Sequence, residues 1–410
     1  MKPASAKKPV SEVLPLTSLR FFLASWIVIF HLDLVAKAVR GAATSVPTAG
    51  PGLAWYNIVH CAYVAVGVFF ALSGFILALN YKLDQPWTGA MRWKFAVARF
   101  SRIYPVYVLA LAAVAPTVLG KAIEAHSHSM LLRRLASGVL NLLMLQAWVP
   151  GGALSWNGPG WSLSSEAFFY LCFPVIGAMV FRVATIRKAL LLLAGLWAAE
   201  LAVPAVCVLL RIKGFGDMPA TGLPDSLVSD LVKFNPVLNL ALFLSGIVTC
   251  RLYQMLRAHR HSLAGKGYLF YIPAIMLLLG ITALGDRIPY PLMHSGLILP
   301  SALGIILGLA FGDSYLCAAF SNPLLVFLGK ASYAEYLLHF PVRLIFESRG
   351  LSWTPLQQVI YFFTVLAISA IVFHFYEEPM QRFLRKLLSR KSTSQHNAAV
   401  DEAKSAVTPA

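Results

Sequence analysis

Two residues near the N-terminus have types and a spacing suited to chemistry. Arg20 and His31 stand 11 positions apart in a largely apolar stretch. At 3.6 residues per turn this is about three turns of helix, so both side chains share one face. A rise of about 1.5 Å per residue places His31 about 16 Å further along the axis. With a hydrocarbon core of about 30 Å, an Arg20 at the inner surface leaves His31 near the midplane. A planar guanidinium holds phosphate through paired hydrogen bonds. An imidazole with an ordinary pKa of about 6.5 can take a proton from a hydroxyl. The pair therefore suits a thioester donor whose phosphates sit at Arg20 and whose pantetheine arm carries an acyl group to His31. A snorkelling arginine and a hydrogen-bonded bundle histidine are the competing structural explanations.

Other polar residues could complete such a site. Arg99 and Arg102, in Arg99-Phe-Ser-Arg102-Ile-Tyr-Pro105, are three apart and share a helix face. They could join Arg20 in a polyanion site, or simply form a basic flank. In Gly160-Trp161-Ser162-Leu163-Ser164-Ser165-Glu166, Ser162 or Ser164 is expected to cap a helix, with Glu166 near the outer face. Glu166 could bind sugar hydroxyls, orient His31 or move a proton; an acid favoured at a helix start is the plainer explanation. Trp156 and Trp161 could stack on a sugar or belong to an interfacial belt. Glu335 and His339 are four apart and either pair structurally or line a cavity. Small residues in the run Phe69–Phe75 point to close helix packing. Glu200, His294 and His374 stand alone and read as structural. The five cysteines lie in or beside apolar runs with no C-x-x-C spacing, so no metal site or disulfide framework is expected.

These residues need a frame, and the composition supplies it. The 410 residues are 58% hydrophobic and only 12% charged, with a mean hydropathy of +0.71. A soluble domain is nearer about 25% charged. The expected fold is an all-α, polytopic transmembrane helix bundle. Apolar runs fall near 19–39, 56–80, 102–120, 134–148, 162–181, 189–210, 236–250, 267–285, 294–312, 324–347 and 354–376. The net charge of +17 lies between these runs, which favours membrane topology over nucleic-acid binding. If basic segments 81–101, 182–188, 251–266 and the C-terminal tail face the cytoplasm, both termini do too and the crossings are even in number. About ten crossings follow, with 134–148 as one short re-entrant or interfacial helix. The N-terminal apolar run is long and many follow it, so a cleaved signal peptide is not expected. The expected organisation is a basic cytoplasmic segment 1–14, a membrane domain 15–380, and a tail 381–410 that is basic and then disordered. Glu377-Glu378-Pro379 is expected to end the last helix.

The ordered motifs resemble the acyltransferase-3 family of bacterial integral membrane acyltransferases. The resemblance covers about 15–380. It rests on Arg20-x10-His31, Phe-Phe-x-x-Ser-Gly-Phe at 69–75, Arg99-x-x-Arg102-x-x-Pro105, Trp161-Ser-Leu-Ser-x-Glu166, Ser332-Tyr-x-x-Tyr-x-x-His339 and Glu377-Glu-Pro. It implies transfer of an acyl group, most often acetyl, from cytoplasmic acyl-CoA to a hydroxyl of a carbohydrate or lipid-linked glycan. Arg20 and His31 would be essential, with Arg99 and Arg102 assisting at the donor. On this reading His31 and Glu166 are catalytic, Arg20, Arg99 and Arg102 bind acyl-CoA, and Trp161, Ser164 and His339 bind the acceptor. The protein is expected in the bacterial inner membrane. Some members carry an extracytoplasmic esterase-like domain, for which the sequence after the last helix is too short, so a separate transferase partner is possible. A transporter of a lipid-linked sugar or anion is the alternative; it would favour Gly/Pro-broken helices at matching positions, and no such symmetry is seen.

Overall fold

Every one of the apolar runs contains helix. The computed structural model describes residues 13–40, 47, 49–259, 265–312, 314–350 and 353–389. The expected basic segment 1–14 lies almost wholly outside these residues, and so does the tail from 390. The elements are α1 (Leu14–Arg40), α2 (Gly50–His60), α3 (Val64–Asn80), α4 (Gly89–Glu124), α5 (His128–Leu142), α6 (Trp161–Phe181), α7 (Ile186–Leu209), α8 (Leu227–Phe234), α9 (Leu240–His259), α10 (Tyr268–Ala283), α11 (Tyr290–His294), α12 (Leu299–Phe311), α13 (Tyr315–Phe320), α14 (Pro323–Ser348) and α15 (Pro355–Val372). No strand occurs among the described residues beyond an isolated bridge between Pro219 and Pro289. The chain is an all-helical protein with several apolar helices able to cross a membrane.

Among the described residues, six helical stretches are long and apolar enough to span, or seven if the bent pair α2–α3 counts as one. The expected ten crossings are therefore not established. The shortfall has a physical origin. The helix α10 has only 16 residues. Both α9 and α14 carry arginines, and α14 also holds Lys330 and Glu335, so their average apolarity falls although they pack inside the bundle. The 15-residue α5 is also too short to count.

Three boundaries differ from the sequence reading. The run 56–80 is not one rod but turns by 51° after His60. Asn57, just before the bend, donates to the Ala283 carbonyl at 2.8 Å, and the Tyr63 hydroxyl beyond it donates to the Ala220 carbonyl at 2.8 Å. Second, α4 begins at Gly89, where Thr88 caps it by accepting from the Met91 amide at 3.3 Å. Arg99 and Arg102 thus sit well inside a 36-residue helix rather than at its start. Third, the last helix passes through Pro379 and runs on to Ser389. A proline lacks an N–H and crowds the carbonyl four residues back. The helix absorbs this by widening to a π-turn at Phe373–Glu377, with the Glu378 amide bonding the Phe373 carbonyl.

Glycines set the tightest helix crossings. A side chain on Gly74 of α3 would collide with the Phe243 carbonyl of α9, and one on Gly246 of α9 with the Ala71 carbonyl of α3. Gly329 of α14 lies in the same way against the Thr17 carbonyl of α1. Small residues at such points let backbones approach, and dispersion between the facing backbones then holds the helices together. The α1–α14 crossing matters most for the site, because it carries Arg20 one turn away. A buried polar bond fixes it further, Ser25 donating to Glu335 at 2.8 Å, while Ser18 ties α1 to the neighbouring α13 through the Phe320 carbonyl. Gly329→Ala should drive α1 from α14 and destabilise the protein by about 1–3 kcal/mol, the usual cost of overpacking. Thermal unfolding of detergent-purified protein measures this, and an unchanged midpoint would argue against the tight crossing.

Candidate active site

Two cavities meet beside α1. The first, about 140 Å³, is lined by Arg20 from α1, Ser73 from α3, Arg99 and Arg102 from α4, Glu166 and Tyr170 from α6, and Tyr333 and Tyr336 from α14. The second, about 310 Å³, is lined by Ile27, Phe30 and His31 from α1, Tyr63, Trp161, Phe340 and Tyr336, with Lys233, Tyr290 and His294 from the segments after α7. Val66 and Tyr336 line both. The spacing of Arg20, Ile27 and His31 is that of one face of a continuous helix, so α1 presents its arginine to one cavity and its histidine to the next. The shared wall is fixed on one side: the Tyr336 hydroxyl lies 3.0 Å from both the Pro159 carbonyl and the Ser162 hydroxyl.

The first cavity concentrates positive charge. Arg102 forms an ion pair with Glu377, which the π-turn of the last helix presents fully buried. Its guanidinium also lies 5.5 Å from the centre of the Tyr333 ring. Arg99 lies about equally close to the rings of Tyr81, Phe95 and Tyr170, at 5.9, 5.9 and 6.0 Å. Aromatic faces stabilise a cation without neutralising it. The buried Nε of Arg99 has no hydrogen-bond partner among the described residues. Among the described residues this brings three guanidiniums together with two carboxylates, Glu166 and Glu377, an arrangement suited to a polyanion.

The second cavity is mostly aromatic, and His31 opens onto it with a defined tautomer. Its Nδ1 lies 2.9 Å from the Ile27 carbonyl. A carbonyl only accepts, so Nδ1 carries the proton and Nε2 keeps a lone pair. That is the form a general base needs. The His339 ring lies 5.0 Å away, centre to centre. Among the described residues no group of His, Cys, Asp and Glu could hold a metal ion.

Comparison with known proteins decides what kind of machinery this is. The acyltransferase domain family designated acyltransferase 3 matches residues 16–374. The chain belongs to the acyltransferase-3 family. It is 28% identical over 334 residues to acyltransferase MdmB of Streptomyces mycarofaciens, covering 80% of this chain and 78% of that protein. It is also 35% identical over 144 residues to protein 2 in the picA locus of Rhizobium radiobacter, covering 32% of this chain and 73% of that one. No solved structure matches. The protein is an acyltransferase with membrane helices, so it has an acyl donor and an acceptor.

In this acyltransferase the residues expected from sequence fall into three places. Arg20, Arg99 and Arg102 come together in the first cavity, and Glu166 joins them there rather than His31. Trp161 lines the second cavity with His31. Ser164 and His339 line neither. Ser164 donates to the Met144 carbonyl at 2.6 Å, and His339 stands fully buried behind His31. Neither expected serine caps α6. A 3-10 turn, Gly158–Gly160, leads into the helix, and Ser162 donates back to Pro159 at 3.0 Å. Glu335 bonds Ser25 and not His339.

Several residues in or behind the cavity walls escaped the sequence reading. Glu377 was legible only as a helix end, because nothing local shows that a π-turn aims it at Arg102. Tyr336 lay inside a recognised motif, but a tyrosine in an apolar helix carries no mark of its role. Lys233 and His294 come from segments far apart in sequence. The ion pair predicts a graded effect. Glu377→Ala should leave Arg102 without its carboxylate and cost about 1–3 kcal/mol, below the range for a fully buried pair because Arg102 stays 24% exposed. Glu377→Gln, which keeps an acceptor oxygen, should cost less. Chemical or thermal unfolding of the three proteins tests the order, and equal stabilities would remove the pair as a structural strut.

Proposed function

We propose that this acyltransferase moves an acyl group, most simply acetyl, from cytoplasmic acyl-CoA to a hydroxyl of a carbohydrate or glycan-linked acceptor. The observation that carries the reading is the adjacency of an arginine-lined cavity and a His31 cavity across one shared wall. In this reading the donor's phosphates lie against Arg20, Arg99 and Arg102. The pantetheine arm passes Val66 and Tyr336, and the thioester reaches Nε2 of His31. The acceptor hydroxyl sits in the second cavity. Its ring packs against aromatic faces such as Trp161, which offer a sugar apolar area and edge contacts.

The chemistry needs one base. The acceptor oxygen attacks the thioester carbonyl as His31 Nε2 takes its proton. The carbon–sulfur bond then breaks, and the thiolate leaves and takes up a proton, giving an ester and free CoA. The Ile27 carbonyl, bonded to Nδ1–H, holds the ring in orientation and stabilises the imidazolium as it forms. Glu166 acts at the donor end, where it offsets the arginines and accepts from the donor's amide groups. We place the first cavity toward the cytoplasm and both termini on that side, in the bacterial inner membrane, from the distribution of basic loops.

His31→Ala should lower acyl transfer by about 10²–10⁴-fold, the range for losing a general base, while leaving membrane insertion intact. Release of CoA from acetyl-CoA by protein in lipid nanodiscs, paired with mass spectrometry of envelope glycans and secreted metabolites from cells with and without the protein, reads both rate and acceptor. Normal acylation by the variant would end the proposal for His31. Products acylated only on non-sugar hydroxyls would end the carbohydrate assignment and leave the rest.

A further inference from the structure

The first cavity is too small for a whole CoA. Ligands of drug size occupy about 300–1,000 Å³, whereas this cavity holds about 140 Å³. A CoA donor that feeds its arm inward must therefore leave its nucleotide at the mouth. The nucleotide carries a third phosphate, on the ribose 3′ oxygen, besides the diphosphate. Among the described residues, three arginines set against two carboxylates leave little positive charge for it. Any further cation should stand just outside the cavity, beside Arg99 or Arg102.

One residue fits that position. The last helix runs beside α4 in the opposite direction. Tyr376 reaches Pro105, Glu377 pairs with Arg102, and Arg385 places Nε 3.4 Å from the Ser101 hydroxyl. Ser101 adjoins Arg102 in sequence. Arg385 is also near enough to interact electrostatically with Arg99 and Tyr81. Helical side chains lean toward the N-terminus of their helix, so Arg385 leans back toward the cavity rather than out along the tail. Only its Nε is engaged among the described residues, which leaves the two terminal nitrogens for a ligand. Neighbouring Arg382 is turned to Glu378 on its own helix, at 3.7 Å.

We infer that Arg385 is a fourth phosphate-binding arginine, which takes the ribose 3′-phosphate of the CoA donor and so selects CoA thioesters over donors lacking that group. This rests on the donor reading above. The guanidinium fork supplies two parallel N–H donors to one phosphate, while the Ser101 hydroxyl engages only Nε. The same chemistry could serve a lipid headgroup phosphate, and the experiment separates the two.

The test compares acetyl-CoA with 3′-dephospho-acetyl-CoA, using kcat/KM for CoA release in nanodiscs made with and without anionic lipid. Wild-type protein should prefer acetyl-CoA by about tenfold, the worth of one charge-assisted hydrogen-bonded contact. Arg385→Gln should lose that preference, falling about tenfold on acetyl-CoA and little on the dephospho donor. Arg385→Lys should keep part of it. A loss equal on both donors would make Arg385 a structural latch to Ser101. A loss that depends on anionic lipid would make it a membrane anchor. Either result overturns the inference and leaves the enzymatic reading standing. Failure of wild-type protein to use either donor would instead strike the reading on which it rests.

Discussion

Charge that cannot reach bulk water must find a partner, and this constraint organises the protein. Arg20, Arg99 and Arg102 converge between helices whose remaining lining is mostly apolar or aromatic, with Glu166 and three serines among it. An ion in such surroundings costs several kcal/mol unless it is paired. The structure spends its last helix on one of the three. The π-turn at Phe373–Glu377 turns Glu377 inward to Arg102, and Pro379 is the local reason for the wider turn. Aromatic rings surround Arg99, and Glu166 lines the same space.

The same economy explains the role of α1. One straight helix carries both an arginine and a histidine on a single face, so their separation is set by backbone geometry and not by loops. The helix is held in register against α14 by the Gly329–Thr17 approach and by Ser25–Glu335. His339, on the next turn of α14 after Glu335, then comes to lie behind His31. Tyr336 closes the boundary between the cavities, tied to Pro159 and Ser162. Any donor arm that reaches His31 from the arginines passes that tyrosine.

The sequence revealed the helices well and their relations poorly. Apolar runs are written in residue type, so each contains helix, although the bounds and breaks differ. The 36-residue length of α4 was hidden because Arg92, Lys94 and Arg99 make its first turns look like a loop. The number of crossings remained unsettled because α9, α10 and α14 are charged or short, and position in the bundle, not local apolarity, decides whether such helices cross. At the site, the Arg20–His31 face was legible because it depends only on helical periodicity. Glu166 could be placed on its helix but not in its cavity, since the direction of an α6 side chain depends on how α3, α4 and α14 pack around it. Glu377 and Lys233 needed three-dimensional closure across most of the chain.

The two cavities are built from different materials, and this bears on how such an enzyme could change its acceptor. The arginine cavity is lined by long helices alone, α1, α3, α4, α6 and α14. The His31 cavity borrows Leu154, Gly158 and Pro159 from the segment before α6, and Leu223, Pro224 and Lys233 from the segment between α7 and α9. Segments outside the main helices tolerate substitution and insertion better than packed helix interfaces. If the donor occupies the first cavity and the acceptor the second, a change in these connecting segments can reshape the acceptor's surroundings without moving any arginine or the helix that carries His31. Donor chemistry would then be the invariant of the architecture and acceptor choice its adjustable part, because only the first is anchored to glycine-tight crossings and a buried ion pair.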